Sequence, residues 1–190
     1  DGQQAHGLWR CADAARVGLG GHMNRWLRIL KHRWLDETDA KRALDDAALA
    51  RLAERVQRSE RQHSGEMRLC VEAGLPLSYL WRDAAPRERA LAMFGKLHVW
   101  DTEHNNGVLI YLLLAEHAIE IVADRGLNRH VPPAQWRRLT EGMAAAFRAG
   151  RFEDGLVEAI DAVDALLLQH FPLVEGQLNP NELPDRPFVG

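Results

Sequence analysis

Residues 102–126 read TEHNNGVLIYLLLAEHAIEIVADRG, and no other stretch of the chain constrains its fold as tightly. Residues 108–115 are apolar on both faces of an extended strand, so this strand belongs in the middle of a sheet that is covered on both sides. Glu116-His117 is short enough to send the chain straight back into residues 119–123, which predicts a β-hairpin, although neither residue is a preferred hairpin-turn type. A strand buried on both faces needs helices above and below it.

The rest of the chain supplies those helices. A long helix is expected over residues 45–62, with Leu49, Leu52, Ala53 and Val56 at helical spacing. Residues 66–73 alternate, Met67, Leu69, Val71 and Ala73 on one side and Glu66, Arg68, Cys70 and Glu72 on the other. That pattern reads as a strand with one wetter face, near a sheet edge. Residues 74–85 read as a loop. Pro86 suits the first turn of a helix over 86–97, with Ala90, Leu91, Phe94 and Leu97 inward. A third helix follows Pro132-Pro133 (about 134–149, with Trp136, Leu139, Met143 and Phe147 on one stripe). A fourth spans 152–171, with Leu156, Ile160, Val163, Leu167 and Phe171 inward and Pro172 as its stop. The expected architecture is α/β, a three-layer α/β/α sandwich around a small mixed sheet that includes one hairpin.

The 190 residues suit one domain, and the formal net charge of −3 offers no electrostatic reason to expect nucleic acid as a partner. Cys11 and Cys70 form no metal or redox motif, which fits free thiols in a reducing compartment. No apolar run approaches the roughly 20 residues that cross a bilayer, and no signal-peptide pattern is present, so a cytoplasmic placement is expected, peripheral to a membrane if it touches one. Residues 1–22 read as a tag or extension, with Met23 as a natural start. Residues 23–44 form an amphipathic N-terminal segment, 45–172 the domain, and 173–190 an extended tail. Within the N-terminal segment, RWLRILKHRWL combines Trp26, Leu27, Ile29, Leu30, Trp34 and Leu35 with Arg25, Arg28, Lys31 and Arg33. Two readings stand: a helix that docks on a membrane surface or a partner, or a terminal helix that packs its tryptophans on its own domain.

Three segments, SGEMRLCVE, RERALAMFGKLHVWDTEHNNGVLIYLLLAEHAIEIVADRGL and MAAAFRAGRFEDGLVEAIDAVDALLLQHFP, resemble the TPM domain, named for a plant thylakoid lumen protein, a photosystem II repair factor and a worm receptor modulator. The resemblance spans residues 47–172. It rests on a strand opening Gly65-Glu66, the Thr102-x-x-Asn105-Asn106-Gly107 turn, the hairpin, and a helix start at Arg151-Phe152 with Gly155-Leu156. It implies a three-layer sandwich. For function it implies weak acid phosphatase activity in one plant member, calcium binding in some members, and maintenance or assembly of membrane proteins in others. This chain departs from the pattern after the third strand, where Asn128 stands in place of the usual Glu and Pro132-Pro133 near the expected Asp. That departure weakens the transfer of a calcium site.

The candidate site follows from the hairpin itself. Antiparallel pairing sets the start of one strand beside the end of the other, so Asp101, Asn106, Asp124 and Arg125 should gather at one end of the sheet, near Gly107 and Gly126. Carboxylate and amide oxygens suit a hard cation such as Ca2+ or Mg2+, with Asp101 and Asp124 as its acidic ligands. Capping and turn formation explain the same residues without a ligand, with Gly126 permitting a left-handed turn. The histidines show no HxH or HExxH spacing, and GxSxG, Walker and CxxC motifs are missing. The leading expectation is a non-enzymatic module that binds a protein partner or a membrane surface through residues 25–35, in membrane-protein or envelope maintenance. The alternative is a weak metal-dependent acid phosphatase.

Overall fold

The structure is a computed structural model that describes residues 25–34, 42–174 and 181–190. The extension expected over residues 1–22 lies outside the described residues. In chain order these residues form α1 (Arg25–Trp34), α2 (Asp46–Glu60), β1 (Met67–Glu72), α3 (Leu77–Trp81), α4 (Pro86–Lys96), β2 (Val108–Leu113), β3 (Ala118–Ala123), α5 (Arg125–Asn128), α6 (Pro133–Arg148), α7 (Phe152–His170) and β4 (Phe188–Val189).

The sheet runs β3-β2-β1-β4. β2 and β3 are the antiparallel hairpin, Val108 opposite Ala123 and Leu113 opposite Ala118, while β1 pairs in parallel with both β2 and β4. All six residues of β2 are buried, as expected of a strand with helices on both sides. On one face, Met67, Leu69, Val71, Val108, Ile110 and Leu112 meet α2, α6 and α7 through Leu52, Val56, Phe147, Ile160 and Val163. On the other, Cys70, Leu109, Tyr111 and Leu113 meet α3 and α4 through Leu80, Ala90, Met93 and Phe94. The architecture is thus the three-layer α/β sandwich with a small mixed sheet.

Local chemistry sets the helix starts. The Asp45 carboxylate accepts the Ala48 N–H at 2.6 Å and caps α2. Pro86 and Pro133 open α4 and α6, where a missing N–H costs nothing. Gly150, at φ +73°, takes the left-handed residue that ends α6. The hairpin turn is a 3-10 turn over Leu114–Glu116 followed by His117 at φ 49°, which explains how two unfavoured turn residues serve there.

Several expectations need correction. The second face of β1 is drier than expected: Cys70, Glu72 and Glu66 are buried, and Arg68 is half-buried. Its charged side chains reach partners far along the chain. Glu72 binds Arg89 of α4 and the Tyr111 hydroxyl, and Glu66 Oε2 accepts the Leu183 N–H at 3.1 Å. β1 does lie near the edge of the sheet, covered on its outer side only by the two-residue β4 beside Cys70 and Val71. The loop expected over 74–85 contains the short helix α3, and Leu91 of α4 faces solvent. In the C-terminal residues 181–190, Leu183 is buried, the Pro184 carbonyl accepts from Arg68, and Phe188–Val189 pair with β1.

Two buried carboxyls give the fold a pH dependence. Burial pushes Glu120 of β3 up from its ordinary 4.5 to about 7, with Arg87 pulling the other way. Burial, with Glu66 and Asp185 nearby, likewise pushes Glu60 to about 9, against the Met67 N–H it accepts. A carboxyl whose folded pKa is raised contributes stability that is fully present below its unfolded value and is lost as pH rises through its folded value. Stability is therefore expected to fall as pH climbs from about 4.5 toward 9. Glu120→Gln, which cannot ionise, should exceed the parent at pH 8 by about 2–3 kcal/mol relative to their difference at pH 5. Urea unfolding at the two pH values checks this, and equal differences at both would refute it.

Candidate functional site

The hairpin register sets Gly107 opposite Asp124, whose N–H donates to the Gly107 carbonyl at 2.9 Å. Gly126 N–H donates to the Asn105 carbonyl at 2.8 Å, and Arg125 Nε to Asn105 Oδ1 at 3.1 Å. Asp124, Arg125 and Gly126 thus meet the Asn105–Gly107 turn at one end of the sheet, where Asn106 sits between its two bonded neighbours. Asp101 is exposed on the loop leading in from α4, its N–H donating to the His98 carbonyl at 2.9 Å. The two glycines are there for close approach. A Cβ on Gly107 would sit 1.9 Å from the Val99 carbonyl oxygen, and one on Gly126 would sit 2.4 Å from that of Asn105. Gly126 is helical rather than left-handed, which corrects the turn expected there.

Two acceptors at this end are buried without a donor. Asn106 is fully buried; its N–H donates to Thr102 Oγ1 at 3.1 Å and its Nδ2 to the Ser64 carbonyl at 3.0 Å, which leaves Oδ1 unmatched. Asp124 Oδ1 accepts the Arg125 N–H at 2.6 Å and caps α5, while its Oδ2 is buried and unmatched. Burial raises the Asp124 carboxyl above its ordinary value, against the Arg125 N–H and charge. Unmatched buried oxygens are costly, and a hard cation is one way to satisfy them. Asn128, at the departure from the family pattern, donates Nδ2 to the Ala123 carbonyl at 2.5 Å and so serves the backbone. Among the described residues, no group of three or more His, Cys, Asp or Glu side chains is arranged to hold a metal ion. Any cation here relies on amide and backbone oxygens beside a single buried carboxylate.

A second polar cluster has the members of a hydrolytic triad but not its geometry. Ser59 Oγ lies 2.9 Å from His63 Nε2, and Asp164 Oδ1 lies 3.3 Å from the same nitrogen and accepts the Ser59 hydroxyl. A proton relay needs base and orienting carboxylate on opposite ring nitrogens. Ser59 and His63 are sealed from solvent, and burial holds the His63 imidazole below its ordinary range, with Asp164 pulling upward. The cluster ties the end of α2 to α7. Elsewhere, His117 lies edge-on to Phe152, and His130 stacks on His170.

Among the described residues, α1 and α3 carry a cluster of exposed large apolar side chains. α1 docks by its polar residues: Arg28 reaches Glu116 at 2.7 Å, Asp83 at 2.7 Å and the Ala84 carbonyl at 2.8 Å. His32, buried, lies 3.0 Å from Glu116 and accepts the Leu75 N–H on Nδ1 at 2.9 Å. Burial pushes the Glu116 carboxyl up, but hydrogen bonds from His32 and Arg28 outweigh it and hold the group below its ordinary value. Ile29 adds the inward apolar contact. Trp26, Leu27, Leu30 and Trp34 point away, Trp26 62% and Trp34 79% exposed. Trp26 meets Trp81 of α3 edge-to-face at 6.1 Å, and Trp81 and Leu77 are exposed beside it. Of the two readings open for this segment, the structure docks α1 on its own domain, with Trp26 against Trp81, yet leaves Trp26 and Trp34 largely exposed, so a face for an outside contact remains. The sequence does mark the helix as amphipathic, but no local signal says which face turns inward, since Glu116 lies 88 positions from Arg28.

No described helix is long and apolar enough to cross a membrane. No curated protein matches the chain. Among solved structures, the NMR structure of the BA42 protein from the psychrophilic bacterium Bizionia argentinensis is similar, with 26% identity, 77% of this chain and 95% of that chain covered, and a TM-score of 0.67. The family model of the TPM domain matches residues 38–166, a span that holds the hairpin, its glycine-lined end and every strand except β4. The chain belongs to the TPM domain family.

Proposed function

We propose that this TPM domain is a non-catalytic accessory module that binds a partner in the upkeep of membrane proteins or the envelope, working peripherally at a membrane from the cytoplasmic side. One observation carries the reading: α1 is held to the domain by Arg28 and His32 while its tryptophans and leucines face outward, together with Leu77 and Trp81. A contiguous apolar patch rimmed by charge on a folded domain is the mark of an interaction surface. Photo-crosslinking from position 30 in the cells that make the protein tests it. A discrete adduct that disappears in Trp26→Ser/Trp34→Ser supports the reading, and the lack of any adduct refutes it.

The hairpin end serves this module as a position for Ca2+ or Mg2+, with Asp124 Oδ2 and Asn106 Oδ1 as the acceptors awaiting a partner and Asp101 as the exposed carboxylate on the same loop. Asp124→Ala is expected to weaken calcium binding by at least about 10-fold in calorimetric titration, with the fold retained apart from about 1 kcal/mol of lost capping. No heat from the parent at millimolar metal would rule the cation out. Phosphate release from an aryl phosphate, abolished by Asp101→Ala or Asp124→Ala, would favour the phosphatase alternative instead.

A further inference from the structure

We propose that the partner met by the α1–α3 face is an anionic lipid surface, with the indoles of Trp26, Trp34 and Trp81 seated at the headgroup boundary; this rests on the partner-binding reading above. The geometry prepares the face for a planar target. Positions 28, 29 and 32 of α1 turn inward, onto Glu116, Asp83 and Leu75, and that fixes positions 26, 27, 30 and 34 outward as one side of the helix. Trp26 and Trp34 lie eight residues apart, which on a helix spaces them by about 12 Å along the axis. Trp81, edge-on to Trp26, widens the face from one helix to two.

Charge selects the occupant. α1 contains four basic residues, Arg25, Arg28, Lys31 and Arg33, and no acidic one. Arg28 is spent on Glu116 and Asp83, while Lys31 is exposed to an outside partner and the sequence places Arg25 and Arg33 on the same helix. Tryptophan has an apolar body and a polar N–H, and it favours the boundary between hydrocarbon and headgroup. Lysine and arginine beside it meet the negative potential of anionic lipid. A second copy of the chain suits the face poorly, because two-fold pairing of α1 on itself would set these cations against one another.

Co-sedimentation of the full chain with vesicles tests the proposal, using phosphatidylcholine mixed with phosphatidylglycerol against phosphatidylcholine alone. Tryptophan emission is read alongside. The expected result is binding to the anionic vesicles with a blue shift, weakened by high salt. Lys31→Glu should reduce it by roughly five-fold or more, and Trp26→Ser/Trp34→Ser by at least about 10-fold. Trp100→Ser, which changes an exposed tryptophan on the loop before β2, should bind as the parent does. Unfolding midpoints of all variants confirm that each is folded, and Lys31→Glu carries the test should the double variant fail that control. Failure of anionic vesicles to bind, or binding unchanged in both α1 variants, overturns the lipid proposal. If vesicles fail while crosslinking from position 30 still yields a protein adduct, or the chain self-associates through this face, the partner-binding reading stands and the lipid assignment falls. If neither vesicles nor crosslinking reports contact, both fall.

Discussion

Replacing Gly107 with alanine is expected to abolish cooperative folding or to cost more than about 4 kcal/mol, among the largest effects a single methyl can have. The added carbon would lie 1.9 Å from the Val99 carbonyl oxygen, and that oxygen is backbone rather than the end of a flexible side chain. Relief requires the α4–β2 loop and the start of the hairpin to separate. Asp124 donates to the Gly107 carbonyl, so the same shift would pull the end of β3 and the cap of α5 out of register. Gly142→Ala is the control. Its Cβ meets nothing within 4 Å, and it lies inside α6, where alanine should stabilise by about 0.5–1 kcal/mol. Urea denaturation separates the two, and a Gly107→Ala midpoint close to the parent's would refute the close-packing account of the hairpin end.

Arg89→Ala should be nearly as damaging, at about 3–5 kcal/mol, because it strands a buried carboxylate. Arg89 grips Glu72 with Nε at 2.8 Å and Nη2 at 2.5 Å, and Glu72 is 4% exposed. The Tyr111 hydroxyl, 2.8 Å from the other side, is the partner left behind. A neutral amide in that place needs no counter-charge, so Glu72→Gln on the Arg89→Ala background should restore part of the loss. Thermal unfolding of both variants checks this. A double variant no better than the single would show that the loss comes from packing rather than from charge.

The legible parts of this fold were those whose cause lies within a few residues. Residues 108–113 announce a two-sided strand because each is apolar, and Pro86 and Pro133 mark helix starts because the missing N–H is harmless only there. The hairpin end could be assembled on paper because antiparallel pairing is a local rule. The parts that failed depend on distant partners. Glu66, Arg68 and Glu72 look like a solvated face until Leu183, Pro184 and Arg89 are placed against them. Five residues of α3 are too few to show a helical period. The direction of α1 is decided by Glu116 and Asp83, which a pattern of apolar residues does not report. For the same reason the tryptophans could be named as the informative residues of that segment while their outward placement stayed open.

The position of β4 bears on how the chain is made. β1 is the third described element in chain order, after α1 and α2, yet its outer side is paired by residues about 120 positions later, with Phe188 beside Cys70 and Val189 beside Val71. Until that last stretch emerges, a growing chain holds β1 and β2 together with a row of backbone N–H and C=O groups facing outward on one side. Such an edge is a template for any passing strand. Closing a loop of this length is also a late event in any folding order, since the entropy of closure comes before the contacts that repay it. The outer side of β1 at Cys70 and Val71 is therefore the part of this sheet that is covered last as the chain is made.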